Sequence, residues 1–429
     1  MSAGELIALT GKTPVGRVLR NNNGRLKFLY EEAWRSTDSA FPLSLSMPLT
    51  SLEHSHERID AFLWGLLPDN STVLENWGRQ FQVSPRNAFA LLSHVGEDCA
   101  GAVQFLRPER LDALLAKRTD RVLWLTEQEV AERLRILRAD HSAWRLQGDT
   151  GLFSLAGAQP KTALLFEKTR RGVPSGRIPT THILKPPAGP LAGFIVNEHL
   201  CLQLARRLEF PTANSHVMSF DDQRAIVVER FDRARHAERW LRIHQEDLCQ
   251  ALGVHPSRKY QHDGGPGPKA IVELIRNNSS APNDDVVTFV DAMAFNWLIA
   301  GTDAHAKNYA VLIAPGRVRL APLYDIASVL PYPRFDVNRI KLAMKIAERY
   351  RMSEIRRDDW LKAAEQLQLD SDSLLERITH MAEAIPELAP EIGAELKLAG
   401  LTEPIIDRLV TRLVGRARLC LKQIGRQRK

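Results

Sequence analysis

Residues 302–308, TDAHAKN, combine side chains that phosphoryl transfer requires. A carboxylate at Asp303 and an amide at Asn308 stand five residues apart, and a second carboxylate, Asp325, follows a predicted β-hairpin at 309–323. Because a hairpin folds back on itself, we expect Asp325 to return to the neighbourhood of Asn308. Phosphoryl transfer needs a carboxylate that orients the attacking hydroxyl and oxygen ligands that hold Mg²⁺ against the phosphates. The pattern therefore predicts a catalytic and metal-binding loop; the plainer alternative is a polar helix cap followed by an ordinary hairpin.

A second candidate element is the small-residue segment 154–162, SLAGAQPKT, which is predicted to form a turn between two strands. Small side chains let backbone N–H groups approach phosphate oxygens. The segment is not a Walker A loop, because Pro160 stands where that motif needs a glycine directly before the lysine, Lys161. The segment also fits an ordinary β-turn when taken alone.

A third group of residues could bind the rest of a nucleotide. Lys185 ends a predicted strand and is the candidate for a contact with the α- and β-phosphates. Glu198 in the following helix could pair with Lys185 and hold the lysine in place. Residues 229–231 follow a buried strand and could present backbone groups to adenine. Each feature has a plainer explanation: a solvated lysine at a strand end, a glutamate that suits the helix dipole, and a strand terminus beside a core aromatic residue.

The elements that must position these residues indicate an α+β fold with two lobes. Residues 1–110 are strand-rich, with a hairpin signal at 15–30 and a helix that ends before Pro68; 126–145 has helical periodicity with Thr126 as its N-cap. Short strands at 152–155, 162–166, 181–184 and 225–228 and a helix at 197–208 suit a nucleotide-covering part. The expected divisions are 1–110, 111–235 and 236–429, and the predicted helices of the last part are 244–252, 269–277, 284–300, 354–368, 372–385 and 403–424.

Composition places the chain among soluble globular proteins. The apolar share is 44%, the charged share 25% and the net charge +7. No apolar stretch reaches the length of a membrane span, the N-terminus lacks the pattern of a signal peptide, and four scattered cysteines fit a reducing cytoplasm. From Arg408 onward all eight charged residues are basic, and Arg408, Arg412 and Arg416 share one helical face. That face is either solvated or contacts phosphates or an acidic partner.

Several ordered sequence blocks resemble the HipA family of serine/threonine kinases, the toxin halves of bacterial toxin–antitoxin pairs. The resemblance runs from about residue 150 to 345 and extends to the N-terminal part, whereas the last eighty residues match only in helical texture. The blocks are PLSLSMPL, FLWGLLPDN, LLSHVGEDCAGAV, SLAGAQPKTALL, THILKPP, NEHLCLQLA, VVERFDR, QEDLCQALG, KYQHDGGPG, FNWLIAGTDAHAKNYAVL, LAPLYDIAS and KLAM.

The resemblance implies a fold related to protein and lipid kinases, with a β-rich N-terminal lobe and a helical C-terminal lobe that contains one catalytic hairpin. It implies ATP and Mg²⁺ as cofactors, Asp303 as the catalytic aspartate and Asn308 and Asp325 as metal ligands. It also implies autophosphorylation of Ser154, which silences the kinase. The implied ATP contacts are Ala156, Gly157, Ala158, Gln159, Pro160, Lys161, Lys185, Glu229, Arg230, Phe231, His305, Ala306, Lys307, Asn308, Tyr324 and Asp325.

The implied partners are an aminoacyl-tRNA synthetase as substrate, a small helix-turn-helix antitoxin (HipB-like), and operator DNA bound through that antitoxin. This sequence departs from the family pattern in two places. Pro160 stands where some relatives have an acidic residue, and Asp358, Asp359 and Glu365 argue against a direct DNA contact of the C-terminal helices. Two other functions stay open: a repressor-complex scaffold that binds ATP but acts mainly through a DNA-binding partner, and a small-molecule kinase. Loss of growth arrest on Asp303→Asn, and the size of the labelled acceptor, distinguish them.

Overall fold

The computed structural model describes residues 4–146, 149, 153–189, 191–237 and 239–425, and the chain divides into two compact units. The first unit comprises Met1–Ala188, Met218–Ser257 and Ala310–Arg319; the second comprises Gly189–Val217, Arg258–Tyr309 and Leu320–Lys429. The first is rich in strands and the second is mostly helical, so the predicted α+β class is confirmed. The finer division at 110 and 235 stays a prediction.

The first unit begins with an antiparallel five-stranded sheet of order β4-β3-β2-β1-β5. Its predicted hairpin is confirmed, because Asn21 Oδ1 accepts hydrogen bonds from the N–H groups of Asn23 (3.0 Å) and Arg25 (2.9 Å), and Gly24 adopts φ +80°. The strands are β1 Gly4–Thr10, β2 Thr13–Arg20, β3 Leu26–Tyr30, β4 Glu53–His54 and β5 Gln104–Leu106.

Short helices connect and cover the sheets of this unit. The helix after Thr126 begins there because Thr126 and Glu129 form a reciprocal capping box at its first turn. The helix predicted to end before Pro68 is confirmed as the second one. The helices are α1 Glu32–Arg35, α2 His56–Gly65, α3 Ser71–Phe81, α4 Ala88–Val95, α5 Leu111–Leu115 and α6 Glu127–Ala139.

A six-stranded sheet of order β10-β11-β9-β7-β8-β6 follows. Helix α6 packs on it through Val130 and Leu134, which meet Leu164, Leu184 and Val227 in one buried cluster. Its strands are β6 Arg121–Leu125, β7 Thr162–Glu167, β8 Arg170–Ser175, β9 His182–Lys185, β10 Ser215–Phe220 and β11 Gln223–Glu229.

One predicted strand of this region is wrong. In place of a strand at 152–155, Phe153 makes a single bridge with Asp98, and Ser154 and Leu155 have no strand structure; Leu152 lies outside the described residues. The segment pairs with a loop rather than with a neighbouring strand, so its apolar residues are buried without forming a ladder.

Two small sheets complete the unit, and they correct a helix prediction. Residues 244–247 form a strand instead of the first turn of a helix, and the helix proper begins at Leu248. Asp247 is buried and caps it, accepting from the N–H groups of Cys249 (2.8 Å) and Gln250 (2.9 Å). The elements are β12 Arg233–His236, β13 Arg239–Arg242, β14 His244–Asp247, β15 Ala310–Ala314, β16 Arg317–Leu320 and α8 Leu248–Leu252.

The predicted hairpin after the candidate catalytic loop is thereby confirmed, as β15 and β16. The first of these strands pairs antiparallel with β14, in the register His244 with Ile313 and Asp247 with Ala310.

The second unit is built around a buried helix, Pro282–Ile299. Its Phe289, Phe295 and Trp297 are fully buried, and each such side chain contributes roughly 1.5–3 kcal/mol. The long helix 371–398 runs through two prolines instead of ending at 385. A short hairpin, 341–351, was not predicted. The elements are α7 Phe194–Arg207, α9 Pro268–Asn278, α10 Pro282–Ile299, β17 Lys341–Ile346, β18 Arg349–Arg351, α11 Arg357–Gln366, α12 Ser371–Leu398 and α13 Ile405–Ile424.

The predicted basic face of the last helix is only partly exposed. Arg408 and Arg412 are exposed, but Arg416 is buried over the ring of Trp297 at 5.3 Å and donates to its carbonyl at 3.2 Å. The basic residues after 425 lie outside the described residues. Within the described part of the chain, no helix combines the length and apolar character that a membrane span needs.

Candidate active site

The loop that follows α10 starts with a left-handed turn. Ala300 adopts φ +56°, and the N–H of Gly301 returns to the carbonyl of Asn296 at 2.8 Å. A Cβ at Gly301 would lie 2.2 Å from Asn296 Oδ1, so a larger residue would have to displace the buried Asn296 side chain. The chain therefore leaves the buried helix abruptly and enters 302–308 as a separate turn.

This turn brings Asp303 and Asn308 together, as their spacing predicted. The backbone oxygen of Asp303 accepts from Asn308 Nδ2 at 2.6 Å and from the His305 N–H at 2.8 Å. The Asp303 carboxylate itself is 69% exposed, whereas His305 and Lys307 are buried. The loop thus presents one accessible carboxylate on a backbone that hydrogen bonds hold closed.

Asp325 is held close to the same loop. Tyr324 Oη donates to the carbonyl of Lys307 at 2.8 Å, so the residues that precede Asn308 and Asp325 are in contact. Asp325 adopts φ +57°, a conformation that costs a non-glycine residue about 1–3 kcal/mol and that is concentrated at functional sites. The surrounding structure must therefore offset this cost.

Two buried polar residues fix the segment after Asp325, and sequence reasoning missed both as site residues. Ser328 Oγ donates to the carbonyl of Ile299 at 2.5 Å, and its N–H donates to Asn197 Oδ1 at 3.0 Å. Asn197 Nδ2 in turn donates to the Ser328 carbonyl at 2.7 Å. The sequence offered one signal for this contact: Asn197 falls on the apolar side of a predicted helix, and a buried amide normally has a hydrogen-bond partner.

The donor set at Asn308 and Asp325 fits Mg²⁺. Across the described residues, no cluster of three or more His, Cys, Asp or Glu side chains could hold a metal by itself. Mg²⁺ needs no such cluster, because it keeps several waters and takes one or two protein oxygens together with substrate phosphates. One amide oxygen and one carboxylate are a sufficient protein contribution.

The first unit contains the predicted phosphate loop, 156–161. Gly157 adopts φ +97°, and its carbonyl accepts from the Asp69 N–H at 3.0 Å. Lys161 Nζ donates to the carbonyl of Ala156 at 2.7 Å, which closes the loop on itself. Ala158, Gln159 and Pro160 lie at its tip, partly or fully exposed. The arrangement is a compact loop with small side chains.

Ser154, immediately before this loop, is fully buried. Its hydroxyl donates to the carbonyl of Leu66 at 2.8 Å, and its N–H donates to the carbonyl of Asp98 at 3.0 Å. The residue therefore fixes the start of the loop to two N-terminal segments.

Lys185 is buried at the end of β9, opposite Ile226 of β11. Glu198 lies in α7, which belongs to the second unit. Their pairing stays a prediction.

Residues 229–231, the predicted adenine-binding segment, begin with the last residue of β11 and continue into the turn after it. Glu229 pairs with His182 in the sheet, and the Arg230 N–H donates to the carbonyl of Thr181 at 2.9 Å. Phe231 is partly buried. The Arg230 side chain does not point to solvent but is buried in a network of charges.

Asp232 and Arg233, the residues that follow this segment, belong to the same network. Arg230 Nη2 lies 2.8 Å from Asp232 Oδ2, and Arg233 Nη2 lies 2.8 Å from Asp98 Oδ1. Arg242 Nη2 joins Asp98 at 3.2 Å. All five side chains are at most 10% exposed, so the interactions are not screened like those of a surface pair.

Burial alone would raise the pKa of the Asp98 carboxyl. The guanidinium groups of Arg233, Arg242 and Arg230, together with the Thr180 hydroxyl, outweigh that effect and hold the pKa well below its usual range. Asp98 thus stays ionised, and its side chain and backbone connect the 230–233 segment with the start of the phosphate loop.

A further missed residue is Tyr260, in a segment next to the Gly/Pro-rich loop of 262–268. Its hydroxyl donates to Asp303 Oδ1 at 2.6 Å. Nothing in the local pattern of a Gly-rich loop signals this contact, because the partners are 43 residues apart.

The chemistry of these residues defines a class. The second unit carries an accessible carboxylate and two oxygen donors suited to Mg²⁺, and the first carries a small-residue loop and two buried lysines, Lys161 and Lys185. Carboxylate, amide and lysine side chains of these kinds are the groups that kinase-like phosphotransferases use.

Comparison with known protein families agrees with this assignment to the kinase-like class. The HipA-like C-terminal domain matches residues 153–389, and the HipA N-terminal domain matches residues 6–106. The chain therefore belongs to the HipA family.

Individual relatives give the enzyme class. The chain is 35% identical over 407 residues to a protein of Sinorhizobium fredii named putative kinase Y4mE, covering 94% of this chain and 96% of that one. It is 31% identical over 383 residues to the serine/threonine-protein kinase toxin HipA of Shewanella oneidensis, covering 85% and 83%. The solved structure of Shewanella oneidensis HipA, in complex with HipB and its operator DNA, matches with a TM-score of 0.84 at 27% identity and covers 98% of each chain. The chain is a serine/threonine protein kinase by homology.

Proposed function

We propose that this chain is an ATP- and Mg²⁺-dependent serine/threonine protein kinase that acts as a growth-arresting toxin. The observation that carries the proposal is the loop 303–308, where an accessible Asp303 carboxylate stands on a turn closed by the Asn308 side chain. A general-base or hydroxyl-orienting carboxylate must be accessible to its acceptor, and its position must be fixed.

In the proposed site, Asp303 orients the acceptor hydroxyl, and Asn308 and Asp325 would hold Mg²⁺. The metal would neutralise charge that develops on the transferred phosphoryl group. The loop 156–161 and Lys185 would contact the phosphates, and 229–231 would meet adenine. The remaining proposed nucleotide contacts are His305, Ala306, Lys307 and Tyr324. Positioning and electrostatic stabilisation supply most of the rate acceleration in such sites.

We extend the proposal to partners by analogy with the Shewanella oneidensis protein, which was solved with HipB and operator DNA. A small helix-turn-helix antitoxin neutralises this chain, and operator DNA is bound through that antitoxin. The complex is therefore cytoplasmic and associated with the nucleoid. The proposed substrate is an aminoacyl-tRNA synthetase, whose phosphorylation would arrest translation and lead to persistence.

We also propose that autophosphorylation of Ser154 silences the kinase. The support is the burial of Ser154 and its hydrogen bond to Leu66. A phosphoryl group would add a charge of about −2 at a site with no room for it, so the start of the phosphate loop would leave its place.

Growth and labelling experiments test the kinase-toxin proposal. Expression of the wild-type chain without antitoxin is expected to arrest growth, and purified protein with [γ-³²P]ATP is expected to label a protein band in a clarified bacterial lysate. Asp303→Asn is expected to abolish the growth arrest and to lower the labelling rate to a small residual value that long incubation still measures. The matched control is Asp372→Asn, an exposed aspartate of the same unit in the first turn of α12.

Three outcomes would contradict the proposal. Label that appears only in small molecules would indicate a small-molecule kinase. An Asp303→Asn variant that still arrests growth would show that the arrest needs no phosphoryl transfer. A wild-type chain that affects only the operator, with or without the Asp303 carboxylate, would indicate a repressor scaffold.

A further inference from the structure

The segment 258–267 forms a tight turn whose shape is determined by two glycines. The carbonyl of Tyr260 accepts from the N–H groups of Asp263 at 3.1 Å and of Gly265 at 3.0 Å. Gly264 adopts φ +81°, and a Cβ at Gly265 would lie 1.9 Å from the carbonyl oxygen of Arg258. A side chain at Gly265 would collide with the backbone, and one at Gly264 would be strained by its positive φ, so both positions favour glycine and the turn holds Tyr260 in one place.

Hydrogen bonds fix this turn to its surroundings on both sides. The carbonyl of Lys259 accepts from the Ala306 N–H, inside the catalytic loop, at 3.3 Å. Gln261 Oε1 accepts from the Lys345 N–H of β17 at 2.8 Å. The residues on either side of Tyr260 are therefore bound to different elements of the second unit, and the catalytic loop is one of them.

The Tyr260 ring is also packed. It meets the buried ring of His305 edge-on, with centroids 4.8 Å apart and planes at 81°, and it lies 5.3 Å from the His262 ring. Edge-to-face contacts of this kind favour one ring orientation. The phenol oxygen accordingly reaches Asp303 Oδ1 at 2.6 Å, the short distance expected for an O–H donor and a carboxylate.

We propose that Tyr260 is a positioning residue for Asp303. The torsion that rotates a carboxylate about its own axis is broad, so a carboxylate that is 69% exposed does not select one orientation alone. The Tyr260 hydroxyl engages Oδ1 and so directs Oδ2 to the acceptor. This inference rests on the proposed kinase function and adds to it the group that orients the catalytic carboxylate.

The consequence for the reaction is specific. The acceptor serine or threonine hydroxyl donates its hydrogen bond to Asp303 Oδ2, its oxygen forms the bond to the γ-phosphorus of ATP, and the bond from that phosphorus to the β–γ bridging oxygen breaks. ADP leaves, and the acceptor proton passes to Asp303. Tyr260 keeps its own proton throughout. Its contribution is therefore to the transfer step and not to nucleotide binding.

Tyr260→Phe tests the inference, because it removes one oxygen and keeps the ring contacts. With [γ-³²P]ATP and clarified bacterial lysate, the initial labelling rate at saturating ATP is expected to fall about tenfold to a hundredfold, the effect of losing one hydrogen bond to a charged group. The KM for ATP and the melting temperature are expected to stay unchanged. A merely structural role would move the melting temperature, and a nucleotide-binding role would move KM.

A double-mutant cycle with Asp303→Asn shows whether Tyr260 acts through Asp303. If it does, adding Tyr260→Phe to Asp303→Asn is expected to cost less than about twofold further rate, because the carboxylate that Tyr260 orients is gone. The matched control is Tyr350→Phe, whose ring lies 6.2 Å from that of His262; it is expected to leave the rate unchanged.

The outcomes separate this inference from the proposed function. A wild-type chain that labels no protein contradicts the kinase proposal itself. A wild-type chain that labels protein, with a Tyr260→Phe variant of equal rate, overturns the role of Tyr260 alone. Equal fold losses from Tyr260→Phe in the wild-type chain and in the Asp303→Asn variant also overturn it, since they would show independent action.

Discussion

Replacing Asp98 by asparagine is expected to destabilise the first unit strongly. The carboxylate accepts from the Thr180 N–H (2.9 Å) and hydroxyl (2.6 Å), from Arg233 Nη2 (2.8 Å) and from Arg242 Nη2 (3.2 Å). An asparagine keeps the shape, but it loses the charge and offers one oxygen where two were used. Its amide N–H₂ group would face groups that are themselves donors.

The magnitude follows from the charges of the buried network. Arg230, Arg233 and Arg242 oppose Asp98 and Asp232, so the formal net charge is +1 in the wild type and +2 in the variant. Removing one partner of a buried ion pair costs about 3–5 kcal/mol, because the other charge stays buried. Since the stability of a domain is about 5–15 kcal/mol, the variant should lose a large fraction of it.

The pH dependence gives a second test. The pKa of Asp98 is depressed in the folded state, so its contribution is fully present above the unfolded value of about 3.9 and is lost as the pH falls through the folded value. The difference in unfolding free energy between wild type and Asp98→Asn should therefore be greatest at neutral pH and shrink below about pH 4.

Urea unfolding followed by tryptophan fluorescence measures this difference. Glu53→Gln, which removes an exposed partner of Lys27, is the control and should leave the midpoint unchanged. A loss of less than about 1 kcal/mol for Asp98→Asn at about pH 7, or an equal loss at about pH 7 and about pH 3, would refute the reasoning.

Three further predictions concern other positions. Burial raises the pKa of Glu246 to about 8. Its stabilising contribution is therefore present below about pH 4.3 and lost as the pH rises through 8. Between about pH 5 and about pH 9, the melting temperature of the wild type should fall more steeply than that of Glu246→Gln. Gly157→Ala forces a side chain into φ +97°, at a cost of roughly 1–2 kcal/mol, and should raise the KM for ATP severalfold in steady-state kinetics, whereas Gly316→Ala in the hairpin turn should not. Thr126→Ala removes the cap of α6 and should lower the unfolding free energy by about 1 kcal/mol in urea titrations; Thr126→Ser should restore most of it.

Local signals predicted much of the fold. The capping pattern at Thr126 located the start of α6, the Asn-rich turn at 21–24 located the first hairpin, and the apolar stretch before 300 located α10. The loop 303–308 was also predictable, because the interactions that close it lie within five residues. Each of these features depends on neighbours in sequence.

Features that depend on distant partners were missed. Asp98 meets Thr180 and Arg233, 82 and 135 residues away, and no local pattern indicates that meeting. The basic periodicity of α13 predicted that Arg416 faces solvent, phosphates or an acidic partner, but Arg416 is buried against the ring and the carbonyl of Trp297. The pattern of 244–252 predicted a helix, because a short apolar run does not distinguish a strand from a helix; its first four residues form a strand because they pair with β15.

The central claim is that the residues around Asp303 form a phosphoryl-transfer site with ATP and Mg²⁺. A crystal structure of the protein with a non-hydrolysable ATP analogue and Mg²⁺ tests it most directly. We predict a metal ion about 2.1 Å from oxygens of Asn308 and Asp325, phosphates in contact with the loop 156–161 and Lys185, and the γ-phosphate facing Asp303. An ordered nucleotide bound elsewhere, or a metal ion held by other side chains, would contradict the claim.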